Sequence, residues 1–163
     1  MRVENLSGGY GETKVIDGVS FEIRKGDFLG IIGPNGSGKS TLLKLMSRIL
    51  LPQNGRVLLE GTDIRRIDSK KFSQKAAFVP QDTLVNFSFT AEEIVLMGRI
   101  PYLRRLQHER KIDTLVAESS MALTDTGHLK DKNIDELSAG ERQRVIVAKA
   151  LAQEPVLLFL DEP

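Results

Sequence analysis

Residues 33–40 read Gly33-Pro34-Asn35-Gly36-Ser37-Gly38-Lys39-Ser40, which fits the pattern G-x-x-x-x-G-K-[ST]. These residue types suit a phosphate chain. Gly36 and Gly38 allow backbone conformations that a Cβ would forbid, so that successive N–H groups can turn toward phosphate oxygens. A helix opening near Lys39 brings the positive end of its dipole to the same place. Lys39 supplies an ammonium for the β and γ phosphates, and the Ser40 hydroxyl can ligate Mg²⁺. With Thr41 the candidate loop is 33–41. A second acidic group is found at Asp161, behind the apolar run Leu157-Leu158-Phe159-Leu160. There it would stand at the C-terminal end of a buried strand, where ligands bind in open α/β sheets, and could hold Mg²⁺. Glu162 follows and is placed to polarise an attacking water as a general base. The plainer alternatives are a glycine-rich turn and a polar turn after a strand. Their joint occurrence, each in the required context, favours nucleoside triphosphate chemistry.

The elements that must carry these residues are legible in outline. Apolar residues at 15, 19, 21 and 23 approach period two and predict a strand, and Lys25-Gly26-Asp27 predicts a turn. Phe28-Leu29-Gly30-Ile31-Ile32 predicts a strand buried on both faces, leading into the loop. Leu42, Leu43, Leu45, Met46, Ile49 and Leu50 predict one face of a helix ended by Pro52-Gln53-Asn54-Gly55. Short strands are expected at 57–59 and 77–79. Thr90 and Glu93 form a capping-box sequence. Ile112, Leu115, Val116, Ser119 and Leu123 predict an amphipathic helix with Gly127 as its C-cap. Ser138 and Glu141 form another capping box, opening a helix to about Gln153, and Pro155 precedes a second buried strand over 156–160. The order predicts an α/β core with a helical insertion.

The 163 residues are enough for one domain. Twenty-three basic and 22 acidic side chains nearly cancel, so net charge argues neither for nor against nucleic acid. The absence of cysteine excludes disulfides, thiolate zinc sites and a Cys nucleophile, and two histidines make a His-rich metal site improbable. No apolar run is long enough to span a bilayer, and the N-terminus lacks the apolar stretch of a secretory signal.

Leu137-Ser138-Ala139-Gly140-Glu141 resembles the signature L-S-G-G-Q of the ATP-binding cassette family, 24 residues ahead of Asp161. The resemblance covers essentially the whole chain. It implies ATP and Mg²⁺ as cofactors and a P-loop NTPase core with an N-terminal antiparallel β subdomain and a helical insertion. It places the core with the β subdomain at 1–86 and 154–163 and the helical subdomain with the signature at 87–153. By the same resemblance Tyr10 stacks on adenine, Val15 follows it, and Gln81 reaches Mg²⁺ and the attacking water. Ser138, Ala139, Gly140 and Glu141 face the γ-phosphate bound by a second copy in a head-to-tail dimer. Ala139 and Glu141 depart from the pattern, and the added charge of Glu141 calls for Arg142 or Arg144 nearby. A cap serving its own helix is the plainer reading of Ser138 and Glu141.

Asn86-Phe87-Ser88-Phe89-Thr90 and Met97-Gly98-Arg99-Ile100-Pro101-Tyr102 look most like bacterial importers of iron-siderophore, haem and cobalamin compounds. This implies a peripheral subunit on the cytoplasmic face, a permease docked near 84–105, and no nucleic-acid partner. The family continues past Pro163 with a further core strand, between the P-loop strand and that of Asp161, and a histidine that neither His108 nor His128 can replace. The chain is therefore expected to be an incomplete domain with its last core strands missing, weak in ATP binding and prone to aggregate. A DNA-repair or chromosome-type ATPase is disfavoured, because no sustained heptads lie in the 122 residues from Lys39 to Asp161. The signature segment and Glu162 speak against a small-molecule kinase. A non-catalytic ATP-sensing module stays open.

Overall fold

The computed structural model describes residues 1–81, 88–104 and 107–162. Its contacts divide the chain into two compact units, Met1–Asp68 and Ser69–Pro163.

In the first unit, β1 (Arg2–Tyr10) pairs antiparallel with β2 (Thr13–Glu22) on one side and β3 (Asn54–Leu59) on the other. The short β4 (Thr62–Asp63) completes a four-stranded sheet in the order β2-β1-β3-β4. Val57 and Leu59 alternate into the core of this unit with Ile16, and Val3 and Leu6 both reach it because a register shift in β1 falls between them. Against them α1 (Lys39–Met46) buries Leu42, Leu45 and Met46. The helix ends earlier than its apolar pattern suggests. Arg48 takes the left-handed conformation at φ 62°, and the N–H groups of Ile49 and Leu50 both donate to the Lys44 carbonyl. That satisfies the carbonyl a further turn would have used, and it leaves Ile49 exposed.

The run 28–32, expected as a buried strand, forms none, and Phe28 and Ile32 are 95% and 97% exposed. A central strand exists only where neighbours complete its ladder. Within this unit the sheet is filled by β1 to β4, and none of them borders 28–32.

In the second unit, β5 (Ala76–Val79) and β6 (Leu157–Leu160) pair in parallel, Ala76 with Leu157 through to Val79 with Leu160. The core beside them comes from α3 (Ala91–Leu96), α4 (Lys111–Leu123) and α5 (Ala139–Ala152), with Ile94, Val95, Ala117, Met121, Val145, Ile146 and Ala148 buried among them. The short α2 (Ser69–Ser73) precedes β5 and buries Phe72. Both expected capping boxes form, Thr90 with Glu93 and Ser138 with Glu141.

Three expectations here need correction. The buried face of α4 is Asp113, Ala117, Ser120 and Met121, whereas Ile112, Leu115 and Leu123 are at least half exposed. The helix turns its small residues inward because α3 and α5 pack closely against it, and Asp113 is drawn in by charge pairing described below. Gly127 does not cap α4. Thr124 does, Asp125 takes the left-handed position at φ 52°, and the Thr126 N–H closes the end on the Met121 carbonyl. The last strand starts at Leu157 and is only partly buried, with Val156 68% exposed.

Candidate functional site

The loop residues Gly33, Pro34, Asn35, Gly36 and Ser37 are exposed, and the chain enters α1 through Gly38. The Ser37 N–H donates to the Pro34 carbonyl at 3.2 Å, curling the loop on itself. Gly38 is the N-cap at φ 93°, and a Cβ there would lie 2.8 Å from Ile16 Cδ1 and 2.9 Å from Val15 Cγ1. Glycine is thus required twice, by the dihedral and by the close approach. Val15, expected near the adenine, serves in this unit as the wall behind Gly38.

The Lys39 ammonium donates to the carbonyls of Gly33 at 3.0 Å and Pro34 at 3.1 Å. The loop therefore folds its own carbonyl oxygens onto the cation that a phosphate chain would engage. Ser40 and Thr41 follow in the first turn of α1, whose leading N–H groups have no acceptors inside the helix. Tyr10 ends β1 with its ring half exposed. Lys44 of α1 donates to its hydroxyl at 3.4 Å, with the ammonium 6.0 Å from the ring centroid. Lys44 went unnoticed in the sequence, since one basic residue on a helix carries no spacing signal.

In the second unit, Gln81 and Glu162 come together at the ends of β5 and β6. Gln81 Nε2 donates to Glu162 Oε2 at 2.5 Å. The parallel register produces this meeting: Val79 pairs with Leu160, and Gln81 and Glu162 each lie two positions further on. Asp161 is buried, its N–H donating to the Val79 carbonyl at 3.0 Å. Glu162 is exposed and takes φ 46°, a left-handed conformation uncommon for a non-glycine residue. Asn5, Arg48, Glu60, Asp125 and Glu154 share this conformation, so it does not single Glu162 out.

The donor chemistry suits a small hard cation. With its amide nitrogen donating to Glu162, Gln81 keeps its carboxamide oxygen as an acceptor. In the same unit the Asp161 carboxylate is also an oxygen donor of the kind Mg²⁺ selects, and in the first unit the Ser40 hydroxyl is another. Among the described residues, no cluster of three or more His, Cys, Asp or Glu stands ready to hold a metal.

Ser138 and Glu141 bond to each other. The Ser138 N–H donates to Glu141 Oε2 at 2.9 Å, the Ser138 hydroxyl donates to the same oxygen at 2.6 Å, and the Glu141 N–H returns to Ser138 Oγ at 3.3 Å. These bonds hold the Glu141 carboxyl below the ordinary range, helped by Lys132 and Arg144. Arg142 turns instead to the Leu137 carbonyl. Ala139 and Gly140 are exposed beside this cap. Of the expected docking stretch 84–105, residues 84–87 and 105 lie outside the described residues, and so do Asn86 and Phe87 of the importer-like motif.

The ABC transporter family matches residues 16–163. The chain is 43% identical over 151 residues to the cobalamin import ATP-binding protein BtuD of Halobacterium salinarum, an overlap covering 93% of this chain and 37% of that protein. It is 39% identical over 163 residues to the ferric enterobactin transport ATP-binding protein FepC of Escherichia coli, covering 100% of this chain and 60% of that protein. The crystal structure of a nucleotide-free ATP-binding cassette from an ABC transporter matches with a TM-score of 0.83 at 30% identity, over 98% of this chain and 67% of that one. The chain thus spans roughly half the length of the curated relatives it matches, 37% of one and 60% of the other.

Proposed function

We propose, from the premise that this chain belongs to the ABC transporter family, that it is part of an ATP-hydrolysing subunit powering a membrane importer of iron-siderophore, haem or cobalamin compounds. The solute class rests on the likeness to import proteins for cobalamin and ferric enterobactin. The hydrolytic reading rests on one observation above the others, the Gln81–Glu162 hydrogen bond at the ends of paired parallel strands.

In this reading the 33–41 loop wraps the phosphate chain. Lys39 exchanges the carbonyls of Gly33 and Pro34 for phosphate oxygens, a stronger, charge-assisted pairing. Tyr10 stacks on the adenine, with Lys44 limiting the swing of its ring. Val15 backs the loop at Gly38. Ser40, Gln81 and Asp161 would hold Mg²⁺, which when bound offsets negative charge on the transferring phosphoryl group. Glu162 takes the proton of the attacking water, and Gln81 holds that carboxylate in place through one oxygen while the carboxylate keeps further acceptor capacity.

Ser138, Ala139, Gly140 and Glu141 are assigned to the face that meets a second copy across its bound ATP. The stretch near 84–105 is assigned to a permease at the cytoplasmic face of the membrane. No helix among the described residues is long and apolar enough to cross a membrane, which fits a peripheral subunit. The test is ATP turnover by the polypeptide of the whole gene, with Lys39→Ala and Glu162→Gln as comparisons. Turnover in the parent that both variants abolish supports the reading, and equal turnover in all three contradicts it.

A further inference from the structure

Residues 97–102 form a turn of 3₁₀ helix whose side chains grip parts of the second unit far from it in sequence. Gly98 permits this grip, because a Cβ there would lie 2.2 Å from the Lys149 carbonyl oxygen of α5. Arg99 is 3% exposed. Its Nε donates to Asp113 at 3.2 Å, and its Nη1 donates to the Ala152 carbonyl and to Glu154 Oε2, both at 2.7 Å. The guanidinium lies 4.0 Å over the Tyr102 ring, and the Tyr102 hydroxyl donates to the Gln153 carbonyl at 2.9 Å. A short apolar turn would be enough to cover α5, so a desolvated charge at this point needs another explanation.

The residues gripped are the two connectors that feed the parallel strands. Ala152, Gln153 and Glu154 lead from α5 into β6. Gln153 in turn donates its amide to the carbonyls of Ser73 and Ala76, at the start of β5, and Gln74 donates to the Pro101 carbonyl at 2.8 Å. The Lys75 carbonyl accepts from the N–H groups of both Val156 and Leu157, tying one connector to the other. The bases of β5 and β6 are thus fastened together and to the 97–102 turn, and their far ends carry Gln81 and Glu162.

We propose that Arg99 and Tyr102 are positioning residues for hydrolysis: they fix the bases of β5 and β6 against each other, and so set the register in which Gln81 meets Glu162. A shift of the exposed side of the turn, where Ile100 stands 60% exposed, would be carried through the connectors to the reacting end. The proposal rests on the hydrolytic reading of Gln81 and Glu162 given above.

The experiment uses the polypeptide of the whole gene and compares the parent with Tyr102→Phe and Arg99→Lys. Tyr102→Phe deletes one hydroxyl and keeps the ring under the guanidinium, so it stays folded where Arg99→Lys fails to. The expected result is a fall in kcat of about ten-fold with KM for ATP unchanged, since sub-ångström misplacement of reacting groups costs rate and leaves the phosphate loop intact. Amide hydrogen exchange supplies a readout independent of turnover, with the Asp161 N–H, bonded to the Val79 carbonyl, exchanging faster in both variants. Unchanged kcat together with unchanged exchange at Asp161 in folded Tyr102→Phe would overturn the proposal. A parent that does not hydrolyse ATP removes the hydrolytic reading itself, and exchange at Asp161 then still decides whether the clamp sets the strands.

Discussion

Gln81 and Glu162, 81 residues apart in sequence, share a hydrogen bond of 2.5 Å because Val79 and Leu160 are paired in a parallel ladder two residues before them. A parallel ladder keeps equal offsets equal, so residues two positions past a paired couple leave the sheet side by side. An amide nitrogen facing a carboxylate is also the chemically sensible orientation, since the reverse would set two oxygens together. The candidate base and the residue that steadies it are therefore products of strand register.

Glu162→Gln should retain the contact with Gln81 and lose the proton acceptor. ATP affinity should stay within about two-fold, while turnover should fall on the order of 100-fold or more, the usual range for a general base. Steady-state hydrolysis beside equilibrium binding checks this. Parent-like turnover would take the base assignment away from Glu162.

Gly38→Ala should damage the loop without removing a polar group. The new methyl would meet Ile16 Cδ1 at 2.8 Å in a backbone held at φ 93°. A loss of about 1–3 kcal/mol is expected from the strained dihedral alone, together with weaker ATP binding. Denaturant titration and nucleotide binding of the variant check the two effects separately.

Acid should release the grip on α4. Hydrogen bonds from Arg110, with Arg99 adding to them, hold the Asp113 carboxyl at about 2, below its ordinary 3.8. A carboxyl depressed in the folded state adds stability above its unfolded pKa and loses it as pH falls through the folded one. The contribution should thus be complete above pH 3.8 and gone near pH 2. Asp113→Asn should remove that acid-limb dependence. It should also cost about 3 kcal/mol at neutral pH, because Arg99 is left buried with less compensation. Urea unfolding at a series of pH values measures both.

The glycine-rich turn leading into α1, the strand before Asp161 and the two capping boxes are legible because each is a short-range pattern. Glycine spacing, apolar runs and a serine or threonine three residues before a glutamate act within one or two turns of chain. The failures have a common cause. The run 28–32 reads as a buried strand, yet burial belongs to its neighbours, and the sheet of its own unit leaves it exposed. On α4 the larger apolar residues suggested the core face, whereas close packing with α3 and α5 selected Ala117, Ser120 and Met121. Asp113 at the heart of that face has a local partner in Arg110, yet its second partner, the buried Arg99, lies fourteen residues away and leaves no spacing signal. Gly127 drew attention as a C-cap, and Asp125 reached the left-handed position first.

The central claim is that residues 33–41 grip a triphosphate chain with backbone amides and the Lys39 ammonium. The most direct measurement is calorimetric titration of ATP into the polypeptide of the whole gene, beside Lys39→Ala. Saturable heat with one ATP per chain is expected from the parent, with affinity at least about ten-fold lower in the variant, the loss of one charge-assisted phosphate contact. No heat from the parent, or equal affinity in both, would contradict the account.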